Sequence, residues 1–135
     1  MNLPKIQKPR CFLVNALAPE YLSAAEANRL FNAYIAEVKR GLSLFHDHFI
    51  GQRGGVAIFF VETEEEGKAL EDLGELADWQ MNIHPLIFSY SPAAFDEQIA
   101  FTLKSYRNKD WETLQRDKRP SYGNPRQEAE TAEEA

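Results

Sequence analysis

Cysteine is almost absent from this chain. Cys11 is the only one, so an intramolecular disulfide is impossible, and zinc-ribbon or thioredoxin spacings, which need cysteine pairs, are excluded. A reducing, cytoplasmic setting is the expectation. Basic charge is also short: 15 Lys and Arg stand against 21 Asp and Glu, a formal net charge of −6. Displacing counterions from a phosphate backbone takes clustered cations, so nucleic acid is not an expected partner. Long apolar runs are missing as well. None approaches the ~20 residues of a membrane helix, and no membrane partner is expected. The N-terminus offers a decoy, because Lys5, Lys8 and Arg10 accompany the run CFLVNALA, whose Ala16-Leu17-Ala18 resembles a signal-peptidase site. Asn15 interrupts that run, it is short for a signal segment, and Pro19 would follow the cut. It reads instead as a first strand.

What is present is enough apolar content for one core: 44% of 135 residues. The expected organisation is a lead-in over 1–9, one α+β domain over 10–116, and a charged, disordered tail over 117–135, where QEAETAEEA has nothing larger than alanine to bury. Within the domain, Arg10 to Leu17 forms a strand. Ser23 and Glu26 make a capping box, and Leu30, Phe31, Tyr34, Ile35, Val38 and Leu42 trace the apolar stripe of a helix stopped by Gly41. A hairpin follows, with strands Leu44 to Ile50 and Val56 to Thr63 around a glycine-rich turn. Thr63 and Glu66 repeat the capping box for a second helix, which carries Ala69, Leu70, Leu73 and Leu76 and ends near Asp78. Trp79 to Tyr90 reads as a fourth strand with Met81, Ile83 and Ile87 on one face and Asn82 and His84 on the other. Pro85 cannot donate to a ladder, so that strand belongs at a sheet edge or bears a bulge. Ser91-Pro92 opens a third helix carrying Phe95, Ile99, Leu103 and Tyr106, and Asp110 to Gln115 adds a further turn.

The order strand, helix, strand, strand, helix, strand is the ferredoxin-like one, with two helices on one face of an antiparallel sheet. VAIFFV, Val56 to Val61, is apolar on both faces although those helices cover only one. A symmetric partner presenting the same face would cover the other and make a homodimeric α+β barrel.

The run KRGLSLFHDHFIGQRGGVAIFFVETEEEGKAL, continued by DWQMNIHPLIFSYSP, resembles the dimeric α+β barrel proteins, particularly muconolactone isomerase-like and YciI-like members, over roughly Arg10 to Pro92. The resemblance rests on a glycine before the third strand, an acidic start to helix two, and a polar residue followed by proline in strand four. It implies a dimer with an internal cleft for a small organic molecule, with cofactor-independent isomerase, lyase or oxygenase chemistry as the enzymatic form and a non-enzymatic regulatory dimer as the alternative. No catalytic residue is carried over from it: YciI-like proteins place a histidine early in the chain, and this chain has none before His46.

The residues themselves supply the candidates. His46 and His48 project from one strand face, with Asp47 pointing the other way. In a back-to-back dimer, the partner's fourth strand would bring a third imidazole, His84, to this pair, the ligand number of catalytic zinc sites. Ordinary sheet histidines bonded to neighbours are the competing reading, and neither metal nor cofactor is required. As a catalytic proton carrier near neutral pH, His84 is the first candidate, because it shares a face with Asn82, a group suited to a substrate carbonyl or carboxylate, and His48 and His46 are the further catalytic candidates. Asn15 is placed at the same cleft, and Arg53, Gln52 and Tyr90 are candidate anion or amide contacts. Trp79 and Trp111 read as core or interface anchors. An RNA-recognition domain has the same element order, but the third-strand positions that should stack bases are Gly55 and Ala57, neither aromatic.

Overall fold

The computed structural model describes residues 9–117; the lead-in before Pro9 and the tail after Asp117 lie outside the described residues. The chain divides into two compact units, Met1–Phe95 and Asp96–Ala135.

The first unit is built on four antiparallel strands, β1 (Arg10–Leu17), β2 (Leu42–His48), β3 (Gly54–Val61) and β4 (Gln80–Pro85), in the spatial order β2-β3-β1-β4. Helix α1 (Ala24–Ala36) joins β1 to β2, and helix α2 (Glu64–Leu70), followed by a turn of 3-10 helix at Gly74–Leu76, joins β3 to β4. Pro85 closes a strand that is an edge strand, where its missing N–H costs no ladder bond. No helix of the described residues is long and apolar enough to cross a membrane.

Both N-caps form, through the hydroxyl half of each expected capping box. The Ser23 hydroxyl accepts from the Glu26 N–H at 3.1 Å, and the Thr63 hydroxyl from the Glu66 N–H at 3.2 Å. The Glu66 carboxylate in turn accepts from the Glu62 N–H at 2.7 Å, one residue earlier than the usual reciprocal bond.

Ala27, Phe31, Tyr34 and Ile35 of α1 recur at helical spacing and are buried against alternate residues of the central strands: Phe12, Val14 and Ala16 of β1, and Ala57, Phe59 and Val61 of β3. Leu70, Leu76, Trp79 and Ile83 complete that core. Fully burying a side chain such as Phe31 or Phe59 is worth about 1.5–3 kcal/mol.

The expected helix is too long by a turn. α1 ends at Ala36, a 3-10 turn occupies Val38–Arg40, and Val38 is 89% exposed while Leu42 already belongs to β2. Gly41, with φ of 87°, redirects the chain into β2 rather than stopping a helix. The hairpin strands accordingly begin about two residues earlier than their apolar content suggests.

Arg40, only 3% exposed, explains why the helix gives way there. Its guanidinium donates to the Tyr34 carbonyl at 3.0 Å, the Ala69 carbonyl at 3.0 Å and the Asp72 carbonyl, and its carbon lies 3.9 Å over the Tyr34 ring. One cation thereby adds a second donor to the Tyr34 and Ala69 carbonyls, which already accept backbone N–H groups, and reaches the Asp72 carbonyl beyond α2, near helix ends where the dipole favours positive charge. The Tyr34 hydroxyl donates to the Leu70 carbonyl at 2.7 Å, and burial pushes its pKa well up.

Helix α3 (Pro92–Arg107) starts in the first unit, where the Ser91 hydroxyl accepts from the Ala94 N–H at 3.0 Å, and runs into the second. There it ends at Asn108, in the left-handed region with φ of 52°, and Lys109 N–H returns to the Leu103 carbonyl at 3.1 Å. α4 (Trp111–Arg116) closes the second unit, tied back by the Trp111 indole N–H donating to Asp96 at 2.8 Å.

Candidate functional sites on the two sheet faces

The register sorts the candidate residues onto opposite faces. Between β2 and β3, Phe45 pairs with Ile58, His46 with Ala57, Asp47 with Val56 and His48 with Gly55. Ala57 lies in the helix-covered core, so His46 and His48 face α1 and Asp47 faces away. A register irregularity between Ser43 and Phe45 sets that parity.

On the helix side, the two imidazoles meet Asn32 of α1. His46 Nε2 lies 3.2 Å and His48 Nε2 3.0 Å from the same oxygen, Asn32 Oδ1. Bonding that oxygen requires each ring to carry a proton on Nε2. The rings are 5.8 Å apart and perpendicular, and Phe31 meets His48 edge-on at 6.0 Å. Gly55 makes room for this arrangement: a Cβ there would come within 2.7 Å of the Phe31 ring and would also strike the Asp47 carbonyl. Behind the pair, the Asp47 carboxylate accepts from the His48 backbone N–H at 2.8 Å.

The second sheet face carries the other candidates. In one row Phe45, Ile58, Leu13 and His84 lie side by side; in the next, Asp47, Val56, Asn15 and Asn82. Asn15 and Asn82 are direct cross-strand partners, and His84 is two residues along from Asn82, so these three share a face as the sequence pattern requires. Asn15 Oδ1 is buried without a hydrogen-bond partner among the described residues. His84 and Asn82 are exposed.

That division corrects one expectation. A partner stacked on the second face would meet the face of His84, Asn15 and Asn82, not His46 and His48, which lie on the helix side of the sheet. A three-imidazole site across a back-to-back interface is therefore incompatible with the register. The second face is also less open than VAIFFV suggests: Ile58 is only 7% exposed, while Phe45 and Leu42, nearer the β2 edge, are 49% and 57% exposed.

Arg53 and Tyr90 are not brought together. Arg53 sits in the hairpin turn, its carbonyl accepting from Ala18 N–H at 2.8 Å beyond the end of β1. With Gln52, Glu20 and Asp78 it lines an open cleft of about 520 Å³. The Tyr21 hydroxyl donates to Asp78 nearby, which raises the Tyr21 pKa. Tyr90 belongs to the segment that folds back over the start of β1, where Cys11 N–H donates to the Ser89 carbonyl at 2.6 Å. Eight residues of strand at ~3.3 Å each put the two ends of β1 about 25 Å apart. Burial beneath that segment also pushes the Cys11 thiol pKa up, which disfavours the reactive thiolate.

Two polar residues escaped the reading of the sequence. Asn32 lies on the exposed side of the α1 stripe, and only a knowledge of which strand lies beside α1 would single it out. Arg40 carried a usable signal, a basic residue just before a glycine at a helix end, but nothing local marks it as buried. Among the described residues, no three His, Cys, Asp or Glu side chains are placed to hold a metal ion together. Compared with protein-family models, curated proteins and solved structures, the chain finds no match in any of the three.

Proposed function

We propose that this chain is a ferredoxin-like domain with an added C-terminal helix, that two copies pair through the second sheet face as a dimeric α+β barrel, and that a small organic molecule binds on that face. The observation that carries this reading is the polar trio Asn15, Asn82 and His84 set among Leu13, Val56 and Ile58, with Asn15 Oδ1 buried and unbonded. An unsatisfied buried carbonyl oxygen costs about 1–3 kcal/mol, which a donor on a ligand or partner would relieve. In this reading Asn82 orients a carbonyl or carboxylate and His84 serves as the proton carrier, for isomerase, lyase or oxygenase chemistry without a cofactor. The single, buried Cys11 suits a reducing cytoplasm.

Light scattering of the full chain at micromolar concentration tests the pairing: a dimer is expected, and a monomer overturns it. Titrating a set of small carboxylates and carbonyl compounds while following the Asn15 and Asn82 side-chain amides by NMR tests the ligand. Binding that shifts both amides and is lost in Asn82→Ala and His84→Ala supports the site; binding that ignores those variants removes it. The competing reading, a non-enzymatic binding or regulatory dimer, is favoured by the preponderance of apolar side chains around the trio. Turnover of a bound compound that disappears with His84→Ala decides for the enzyme.

A further inference from the structure

The pair His46 and His48 is left over from that reading, because it faces the helices, and its geometry suits a different task. We propose that His46, His48 and Asn32 form a site for a late first-row divalent cation, of the Zn²⁺ and Cu²⁺ class, bridging β2 and α1.

Two imidazoles on alternate residues of one strand are set on the same face of the sheet by the backbone rather than by flexible stems. Their Nε2 atoms converge on one point, the Asn32 oxygen, at 3.0 and 3.2 Å. Imidazole nitrogens bind zinc at about 2.0–2.1 Å, so an ion replaces the shared hydrogen-bond acceptor as the focus of both rings once the amide draws back. Each ring then presents the Nε2 lone pair and keeps its proton on Nδ1. Asn32 lies on an exposed helix position, so its side chain has room to yield or to turn its oxygen toward the ion as a third donor. Water completes the shell.

The donor set selects the cation. Imidazole suits zinc, copper and nickel, whereas calcium and magnesium require several oxygen ligands that this site lacks. Asp47 cannot help from its own element, since it points to the other face and is engaged by the His48 backbone N–H. With two protein nitrogens the affinity order follows the intrinsic series, copper above zinc.

The test uses the tag-free full chain titrated with Zn²⁺ and with Cu²⁺ in a non-coordinating buffer, read by calorimetry and, for copper, by electron paramagnetic resonance. One ion per chain is expected, with hyperfine structure from two imidazole nitrogens. His46→Gln and His48→Gln should each weaken binding at least tenfold, Asn32→Ala only a few-fold, and His84→Gln not at all. His46 is exposed, so His46→Gln keeps the fold and serves as the decisive variant. Affinity unchanged in His46→Gln, loss of the ion in His84→Gln, or no binding at 100 micromolar metal would each overturn the proposal.

Discussion

The two faces of one sheet are made from the same strands and obey different rules. On the helix side, β1 and β3 contribute Phe12, Val14, Phe59 and Val61, all essentially inaccessible. On the other side the neighbouring residues are Leu13, Asn15, Ile58 and Phe60, with exposure rising outward to Phe45 and Leu42. Strand alternation makes the two sets interleave residue by residue, so the contrast comes from what packs against each face rather than from composition. The covered face is filled by apolar side chains of β1 and β3, and the second face mixes polar groups into apolar surroundings.

That contrast predicts unequal mutational costs. Phe59→Ala should lose about 3–5 kcal/mol in denaturant unfolding, since it empties a fully buried site. Phe45→Ala, on the half-exposed face, should lose less than about 1 kcal/mol from the monomer, and an equal cost for the two would erase the distinction. Arg40→Met should cost about 2–4 kcal/mol, because it removes three charge-assisted hydrogen bonds and the cation over the Tyr34 ring; Arg40→Lys should recover only part, lacking the planar fork. Gly55→Ala should cost about 1–3 kcal/mol through its clash with Phe31, and a shift of the His48 ring resonances would locate the damage on the helix side.

The smallest effect is one of pH. Burial raises the Cys11 pKa above its ordinary 9.0, so the folded state holds that proton more tightly than the unfolded chain. Its contribution is fully present below the ordinary thiol pKa and is lost as pH rises through the folded value. Stability measured from pH 8 upward should therefore fall less steeply in Cys11→Ala than in the parent chain, and an unchanged slope would remove the thiol from the account. Tyr34, raised by burial as well, keeps part of the alkaline slope in both.

Much of this was legible in the residues. The strand and helix order, the N-caps Ser23 and Thr63, an edge position or bulge at Pro85, and the shared faces of His46 with His48 and of Asn82 with His84 all follow from local residue pattern. Alternation tells which residues of one strand share a face. It does not tell which faces of different strands coincide, and here the irregularity between Ser43 and Phe45 decides that His46 turns toward α1 while His84 turns away. Val38 and Leu42 continue the apolar stripe of α1 on paper, but Arg40 and Gly41 end the helix for a reason lying some 30 residues further along, in the carbonyls of α2. Asn32 was invisible for the same cause: its partners belong to a strand whose placement no local rule supplies.

The Arg40 contact reaches beyond stability into how the molecule comes apart. β1, α1 and β2 form one half of the first unit and β3, α2 and β4 the other, and the strands of the halves interleave in the sheet. A guanidinium from the first half clasping carbonyls of the second means that neither half can open alone without leaving a buried charge stranded. The amide protons near the ends of α1 and α2 should thus exchange with solvent in a single concerted step, making two halves that the chain order separates into one cooperative unit.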